Sequence, residues 1–191
     1  MNILNRKFTF LSIMAAILCL SCGKAFAADF LTLEDLAAKL EKRLSKTVIV
    51  DIQHQKKEVR VNLDLVLSHY GNLLTELYLH DFTAIIADDY IKIVGRKHAR
   101  SSAIPVVTEG KKFYSHQFVS DVIQLNKACA PKVLPIIRPL VPQHSHLGAY
   151  EPSNSVFITD TYANTLRIRQ LLSKIDNNIP DDLACSAKRE G

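Results

Sequence analysis

The chain of 191 residues is long enough for one large domain or two small ones. It carries 24 Lys and Arg against 19 Asp and Glu, a formal net charge of +5. Residues 1–27 hold Arg6, Lys7 and Lys24 and no acidic residue, so the remaining 21 basic and 19 acidic residues leave only +2. A charge this small gives no support for binding nucleic acid or an anionic membrane surface.

The amino-terminal segment has the pattern of an export signal. A basic pair at 6–7 precedes the apolar run 8–22, and Ala25-Phe26-Ala27 fits a small-x-small cleavage site. The run is shorter than the roughly 20 residues that a membrane-spanning helix needs. The sequence therefore predicts a signal peptide over residues 1–27 and an exported protein that begins at Ala28, with no membrane insertion of its own. A bacterial periplasm is the predicted location, and the signal alone leaves a eukaryotic secretory pathway open.

Two of the four cysteines, Cys19 and Cys22, lie inside this predicted signal. Lipid attachment at Cys22 is a second hypothesis, which the sequence disfavours because Cys19 occupies the position where a lipoprotein box carries Leu. The mature chain keeps Cys129 and Cys185. An oxidising compartment allows such a pair to form a disulfide. Two cysteines carry no spacing signature, so the sequence leaves their pairing open.

Residues 28–98 are predicted to form a first small α+β domain. Thr32 begins a capping pattern, with Asp35 in place of the usual Glu, ahead of an amphipathic helix. Hydrophobic periodicity then predicts helix 33–44, strands 47–51 and 58–63, helix 66–77, and strands 82–87 and 90–94. The predicted order is α-β-β-α-β-β, and a short strand before the first helix is left open.

Residues 99–112 lose this periodicity and gather Ser, Pro, Gly and Lys, which predicts a linker. A second domain is predicted over 113–177 in the order β-α-β-β-α. Its elements are an extended run 113–124, helix 125–140, a short strand ending at Tyr150, strand 155–159 and a helix through Asp176. The polar residues 178–191 are predicted to be a flexible tail.

The first helix of the second domain contains three prolines. Pro131 suits a first helical turn, whereas Pro135 and Pro139 would each cost about 3 kcal/mol in a regular helix interior. The sequence therefore predicts a kink, with the regular helix fading near Arg138.

No catalytic, cofactor-binding or metal-binding pattern is recognised in the mature sequence, whether a GxGxxG, a P-loop, a GxSxG or a CxxC motif. His144 and His146 alternate on an extended segment without a third ligand nearby, which favours a solvated loop. The β-α-β-β-α order is also that of KH-type RNA-binding domains. Gly148 is the sole glycine between Lys112 and the tail, so the GXXG loop of that fold is missing. The sequence predicts no enzyme, no cofactor and no nucleic-acid binding.

The carboxy-terminal part of the second domain resembles a known family. The run Tyr150-Glu151-Pro152-Ser153-Asn154-Ser155-Val156-Phe157-Ile158-Thr159-Asp160-Thr161, with Ala163-Asn164 after it, is similar to the D-x-x-x-N-x-L-I-V-T-D-x-x-x-N pattern of bacterial secretins. Secretins are the outer-membrane channels of type II secretion and its relatives, and this pattern lies in their repeated ring-forming domain. Glu151 stands for a usual Asp, and Phe157 stands for an aliphatic residue. The run 134–140 resembles the family's L-x-P-L-L-R-x-L helix.

The first domain is similar to the amino-terminal domain of secretins. The matching runs are Glu34-Asp35-Leu36, residues 46–51, Val59-Arg60-Val61 and residues 90–94. The same domain type serves as the signalling domain of some TonB-dependent receptors and recurs in phage tail proteins. The two resemblances together cover about residues 28–177.

This resemblance implies a non-enzymatic periplasmic protein of the secretion apparatus, built from stacked ring domains that dock rather than catalyse. It implies secretin subunits or an inner-membrane secretion platform protein as partners, and it leaves homo-oligomer formation open. Two partner-binding surfaces are predicted. They are the edge strand with Glu58, Val59, Arg60, Val61 and Asn62, and the polar helix face with Arg167, Arg169 and Lys174.

The family's channel domain has no counterpart in this sequence. We therefore expect that the chain is not itself a channel, and both a stand-alone accessory protein and a truncated gene product remain open. A periplasmic signalling or adaptor module unrelated to secretion is the alternative function.

Overall fold

The computed structural model describes residues 28–185, so the predicted signal peptide and the Cys22 hypothesis lie outside the described residues. The first unit contains β1 (Asp29–Thr32), α1 (Leu33–Leu44), β2 (Thr47–Val50), β3 (Glu58–Val61), α2 (Leu63–Ser68), α3 (Tyr70–Leu79), β4 (Phe82–Ile86), β5 (Tyr90–Gly95) and α4 (Arg96–Ala99). The second contains β6 (Phe118–Gln124), α5 (Ala130–Ile137), β7 (His146–Tyr150), β8 (Ser155–Thr161) and α6 (Tyr162–Asn177). This mixed architecture confirms the predicted α+β class.

The first unit packs helices against two small sheets. β1 pairs antiparallel with β3, while β2, β5 and β4 form a three-stranded sheet in that order, with β2 parallel to β5. The predicted cap is present, because the Thr32 hydroxyl accepts a hydrogen bond from the Asp35 N–H at 3.1 Å. Leu36 and Leu40 of α1 meet Leu74 of α3 in one buried core. The short strand that the sequence left open is β1.

The helix predicted over 66–77 is two helices. Asn62 caps α2 by accepting from the Leu65 N–H at 3.0 Å. His69 breaks the helical run with φ −158° and caps α3, its Nδ1 accepting from the Gly71 N–H at 3.1 Å. Hydrophobic periodicity passes through this break because both helices present their apolar sides to the same core.

The second unit is a three-stranded antiparallel sheet with α5 and α6 contributing to one core. Its strand order is β6-β8-β7. Ile158 from the central strand, Ile137 of α5, and Ile168 and Leu172 of α6 are all buried in that core. The sheet thus has one face covered by helices, and the residues that alternate with the core positions lie on the other face.

The first helix of the second unit is shorter than predicted. It starts at Ala130 rather than near Leu125, with Cys129 as its N-cap and Pro131 in its first turn. Regular α-helix ends at Ile137 and continues as a 3₁₀ turn over Arg138–Leu140, which confirms the expected fading near Arg138. Residues 126–128 remain outside the helix because their backbone N–H groups all bind one carboxylate, that of Asp176.

The linker between the units is more ordered than its composition indicates. Val106 forms a parallel bridge with Ser120, with backbone bonds of 2.8 Å and 2.9 Å on either side of it. Ile104 packs on a small third apolar cluster, in which Ile85 and Val94 of the first unit meet Phe118 of the second. Burial of this cluster couples the two units, while their main cores stay separate.

The tail that the sequence predicts to be flexible from residue 178 is instead packed against the second unit, over the part that the structure describes. Asp181–Leu183 forms a 3₁₀ turn, and Ile179 and Leu183 pack against the second core. Ala184 forms an antiparallel bridge with Ala128. Single apolar residues in a polar segment give no periodic signal, so the sequence could not indicate this packing.

Candidate docking surfaces

The edge strand predicted to bind a partner, β3, is engaged inside the molecule. Val59 and Val61 are buried in the first core, and the Asn62 side chain caps α2. The Arg60 backbone meets the His80 side chain, whose Nε2 lies 3.2 Å from Arg60 N and 2.9 Å from Arg60 O. Of the five predicted residues, Glu58 and Arg60 keep their side chains exposed.

The open edge of this two-stranded sheet is therefore β1. In an antiparallel pair, directly opposed residues point their backbone N–H and C=O groups either toward each other or both outward. Arg60 is opposite Phe30 and points its groups outward to His80, so Phe30 points its own groups to the other side. The Phe30 ring is 72% exposed, with the Arg60 guanidinium carbon 5.7 Å from its centroid. An apolar ring beside an unpaired strand edge favours addition of a partner strand.

A second surface is the face of the second sheet that no helix within residues 28–185 covers. Val122 is opposite Phe157 on β6 and β8, and Gly148 is opposite Phe157 on β7. Val122 is 49% exposed, Phe157 39% and Tyr150 51%. The Tyr150 and Phe157 rings meet edge to face with centroids 6.2 Å apart. We call Val122, Tyr150 and Phe157 the open sheet face.

The predicted polar helix face of α6 is only partly free. Arg169 is drawn into the molecule by the carboxylate of Asp121 on β6, with its Nη2 2.6 Å from Oδ1. Arg167 is exposed and donates from Nη2 to the Leu140 carbonyl at 2.7 Å. Lys174 is exposed near the end of α6. Arg167 and Lys174 remain candidates for a contact, whereas Arg169 holds α6 to the sheet.

The residues of the family pattern shape the turn next to the open sheet face. Asn154 adopts φ 47° between a 3₁₀ turn at Glu151–Ser153 and β8. Its Oδ1 accepts from the Ala130 N–H at 2.8 Å, and its Nδ2 donates to Leu125 O at 3.0 Å and Ala128 O at 2.9 Å. Asn is among the few residues that tolerate this left-handed conformation. One side chain thus fixes the loop that starts α5, which explains an Asn at this position.

Asp176 is a residue whose role sequence reasoning missed. Its carboxylate accepts the N–H groups of Asn126, Lys127 and Ala128 at 3.0, 2.8 and 2.7 Å. Desolvation acts to raise the pKa of Asp176, but these backbone donors outweigh it and hold the pKa below its usual value. A carboxylate near the end of α6 gave no local signal, because its partners lie about 50 residues earlier.

Histidine side chains concentrate where the two units meet. His116 stacks on Tyr78 with ring centroids 4.5 Å apart, and its Nδ1 lies 3.0 Å from the Thr75 hydroxyl. His144 lines a cavity of about 360 Å³ together with residues of the first unit that include His54 and Arg96. Burial lowers the pKa of both His116 and His144, and the Arg96 charge adds to this effect. These contacts favour neutral imidazoles at the junction.

No cluster of metal ligands and no membrane-crossing helix is found in the part of the chain that the structure covers. Across residues 28–185, no three His, Cys, Asp or Glu side chains are grouped so as to hold a metal ion. His144 and His146, which the sequence assigned to a solvated loop, differ: His144 is half-buried at the junction and His146 is exposed on β7. No helix within the same residues is both long and apolar enough to cross a membrane.

Comparison with known proteins gives matches to secretins. Secretin XcpQ of Pseudomonas aeruginosa is 30% identical over 122 residues, covering 64% of this chain and 18% of XcpQ. Secretin PulD of Klebsiella pneumoniae is 25% identical over 185 residues, covering 92% of this chain and 28% of PulD. The solved Klebsiella pneumoniae type II secretion outer-membrane complex matches in fold, with a TM-score of 0.65 at 23% identity over 79% of this chain and 26% of that chain. No protein-family model matches the chain.

The fold and these matches define the class of protein: paired α+β domains of the kind found at the amino terminus of secretins. More particularly, the chain is a homologue of the amino-terminal domains of type II secretion secretins, which confirms the resemblance read from the sequence. It spans 18% of XcpQ and 28% of PulD. Secretins are structural pore proteins, and their amino-terminal domains lie in the periplasm.

Proposed function

We propose that this protein is a non-enzymatic docking component of the periplasm that acts in protein secretion. It assembles into, or onto, a ring of secretin-type domains through the open sheet face. It binds secretin subunits or an inner-membrane secretion partner through the β1 edge and the exposed residues of β3. Homology to type II secretin amino-terminal domains supports the secretion assignment.

The observation that carries the proposal is the open sheet face itself. A monomeric β-sheet with one face in water normally shows polar residues there. Here Val122 is directly opposite Phe157, Tyr150 lies diagonally across from Phe157, and all three side chains are at least 39% exposed. Burying such a row against a neighbouring domain gains apolar free energy of about 25 cal/mol per Å². A contiguous exposed apolar row is typical of an interaction surface.

The partner class follows from the relatives. The Klebsiella pneumoniae complex contains PulD, PulS and the HR domain of PulC. By analogy, the proposed partners of this chain are a secretin ring or a second copy at the open sheet face, and an inner-membrane component at the β1–β3 edge. Arg167 and Lys174 provide the cationic side of the helix layer, which would meet the open sheet face of a neighbouring ring domain.

Copurification from the envelope of the producing bacterium tests the proposal. The tagged wild-type chain should retain a secretin or an inner-membrane secretion component. Phe157→Ser should weaken that retention, and Ile52→Ser should not, because Ile52 is an 81% exposed apolar residue outside both surfaces. Retention of a receptor or an anti-sigma regulator instead, with no secretion component, would support the signalling alternative and overturn the proposal.

A further inference from the structure

The segment after α6 returns to the second domain and is held there by several contacts. Leu183 packs on the second core, within the 3₁₀ turn Asp181–Leu183. The Lys132 ammonium donates to the carbonyls of Asp182 at 3.0 Å and Ala184 at 2.7 Å. The end of this segment is therefore fixed beside the first turn of α5.

Short antiparallel pairing brings the two cysteines of the described chain to this place. Ala128 is bridged to Ala184, with Cys129 N–H donating to Leu183 O at 2.9 Å and Cys185 N–H to Lys127 O at 3.4 Å. Each cysteine directly follows one of the bridged alanines. Successive side chains on paired strands alternate between faces, so Cys129 and Cys185 lie on the same face of the bridge.

The Asn154 side chain lies next to Cys185 and next to the residue that follows Cys129. The Cys185 Sγ lies 3.8 Å from Asn154 Oδ1, and that oxygen accepts the N–H of Ala130, the residue after Cys129, at 2.8 Å. A hydrogen bond with the Cys129 side chain, together with burial and the Cys129 charge, raises the pKa of Cys185 to about 11. Both cysteines are free thiols in this structure.

We propose that Cys129 and Cys185 are a disulfide site that fastens the carboxy-terminal segment to the start of α5. The inference does not rest on the proposed function, because it requires only that the chain meet a disulfide-bearing oxidant. Closing the bond would enclose α5, β7, β8 and α6 in one covalent loop. It would thereby fix the segment next to Asn154, the residue that organises the turn beside the open sheet face.

The chemistry balances by thiol–disulfide exchange. The thiolate of one cysteine attacks a sulfur of the oxidant's disulfide and forms a mixed disulfide, releasing one oxidant thiol. The second cysteine loses its proton and displaces the other oxidant thiol, forming the Cys129–Cys185 bond. The chain loses two protons and two electrons, and the oxidant is reduced to two thiols. Oxidised glutathione or a protein disulfide of the periplasm supplies this oxidant class.

The separation of Cys129 and Cys185 across the antiparallel bridge determines which cysteine has to move for the bond to form. Regular antiparallel strands hold the Cα atoms of diagonal residues about 7–8 Å apart, which is beyond the roughly 4.4–6.8 Å that a disulfide spans. Cys185 therefore has to shift toward Cys129. Its own N–H bond to Lys127 O, at 3.4 Å, is the longest of the backbone bonds at this bridge and is the one that this shift would break. The Cys129 side, which starts α5, can remain in place.

The test is reduction and reoxidation of the purified chain from Ala28 onward, in which Cys129 and Cys185 are the two cysteines, with oxidised glutathione, followed by intact mass and peptide mapping. The expected product is a monomer that has lost two hydrogen atoms and yields a linked Cys129–Cys185 peptide. Its rate of formation should rise about tenfold from pH 7 to pH 8, because the thiolate fraction rises tenfold per unit below the pKa. Chain isolated from the periplasm should carry the same linked peptide.

Cys185→Ser provides the matched control. It should keep the wild-type circular dichroism spectrum and form only a glutathione adduct on Cys129. Three results would overturn the inference: wild-type thiols that stay free, thiols that each carry a separate glutathione, or thiols that link only between chains. Each of them is visible in the wild-type protein by mass alone, so the test stands even if the variant folds poorly.

Discussion

The guanidinium of Arg169 on α6 holds the carboxylate of Asp121 on β6 in a two-point contact, with Nε 3.1 Å from Oδ2 and Nη2 2.6 Å from Oδ1. The Asp121 side chain is 3% exposed and that of Arg169 is 44% exposed. A buried carboxylate without its partner pays its full desolvation cost. This ion pair therefore fastens the last helix to the edge of the second sheet.

Removing Arg169 should destabilise the second domain. Loss of one partner from a buried pair costs 3–5 kcal/mol in typical cases, and the half-exposed guanidinium lowers this to about 2 kcal/mol for Arg169→Ala. Arg167→Ala is the matched control, because Arg167 is exposed and makes one bond to a carbonyl. Urea unfolding of both variants measures the difference. Equal urea midpoints for Arg169→Ala and Arg167→Ala would show that the Arg169–Asp121 ion pair does not stabilise the second domain.

Replacing Asp176 should loosen the loop that precedes α5. Asp176→Asn removes the negative charge and turns an amide N–H₂ toward backbone N–H groups, so the expected loss is about 3 kcal/mol in the free energy of unfolding. Glu151→Gln serves as the control, since Glu151 is exposed. Hydrogen exchange at Lys127 and Ala128 should accelerate in the Asp176 variant. Unchanged protection there would contradict the role of the carboxylate.

The pH dependence of this effect has a defined sign. Because the folded pKa of Asp176 is lowered, its contribution to stability is present in full above the ordinary carboxyl range near pH 4 and is lost as pH falls from there through the lowered folded pKa. The stability gap between the wild type and Asp176→Asn should therefore shrink when urea titrations are repeated at progressively lower pH. If the stability difference between the wild type and Asp176→Asn instead widened on acidification, Asp176 would not have a lowered pKa in the folded protein.

The junction between the units should weaken in mild acid. The Thr75 hydroxyl donates to Gly71 O, so it accepts from His116 Nδ1–H, and a second proton would enter on Nε2. The Arg96 charge opposes protonation of both His116 and His144. The carboxylates of Asp160 and Asp81 favour protonation of His144 and do not act on His116. Both folded pKa values are lowered, so stability is complete above about pH 6.5 and declines below it.

Thermal unfolding of the wild type between pH 7.5 and 5.5 should show this decline. The double variant His116→Gln, His144→Gln should show a flatter dependence over the same range, which lies well above the carboxyl titrations. Identical slopes for the two proteins would place the titrating groups elsewhere.

Gly71 permits a close contact between the units. A Cβ at this position would lie 2.8 Å from Tyr114 Cδ1, so the Tyr114 ring would have to leave its edge contacts with His69 and Tyr70. Gly71→Ala should therefore fail to deliver the gain of about 1 kcal/mol that Ala offers in a helix. In a Tyr114→Ala background the same substitution should be less destabilising, because the 2.8 Å contact is gone and only the His69 ring, at 3.1 Å, remains close. Equal effects in both backgrounds, measured by urea unfolding, would exclude the steric account.

Sequence patterns were sufficient where a residue's role is set by its near neighbours. The spacing of Leu36 and Leu40, the Thr32 cap and the alternation of Val59 and Val61 all rest on contacts that repeat every two to four residues. These signals gave the α+β class and the element order. The family pattern also led to Asn154, whose side chain accepts the N–H of Ala130 at the start of α5, and to Asn164, which donates from α6 to the Asp160 carboxylate of β8.

The remaining features depend on partners that are distant in sequence. Arg169 on a helix surface looks solvated until Asp121, 48 residues earlier, is placed beneath it. The break at His69 needs the imidazole to act as a cap, which hydrophobic spacing cannot reveal. The open sheet face is also a tertiary property, because it requires knowing which side of the strands the two helices cover.

Site-specific photo-crosslinking in the producing cells tests whether the open sheet face docks against a secretin subunit or a second copy of this chain. A photoreactive phenylalanine analogue at position 157 lies in the open sheet face, and one at Ile52 reports on an exposed position outside both surfaces. We predict that position 157 yields an adduct with a secretin subunit or a second copy of this chain, and that position 52 does not. An unlinked chain at position 157 in cells with an intact secretion apparatus would contradict the docking account.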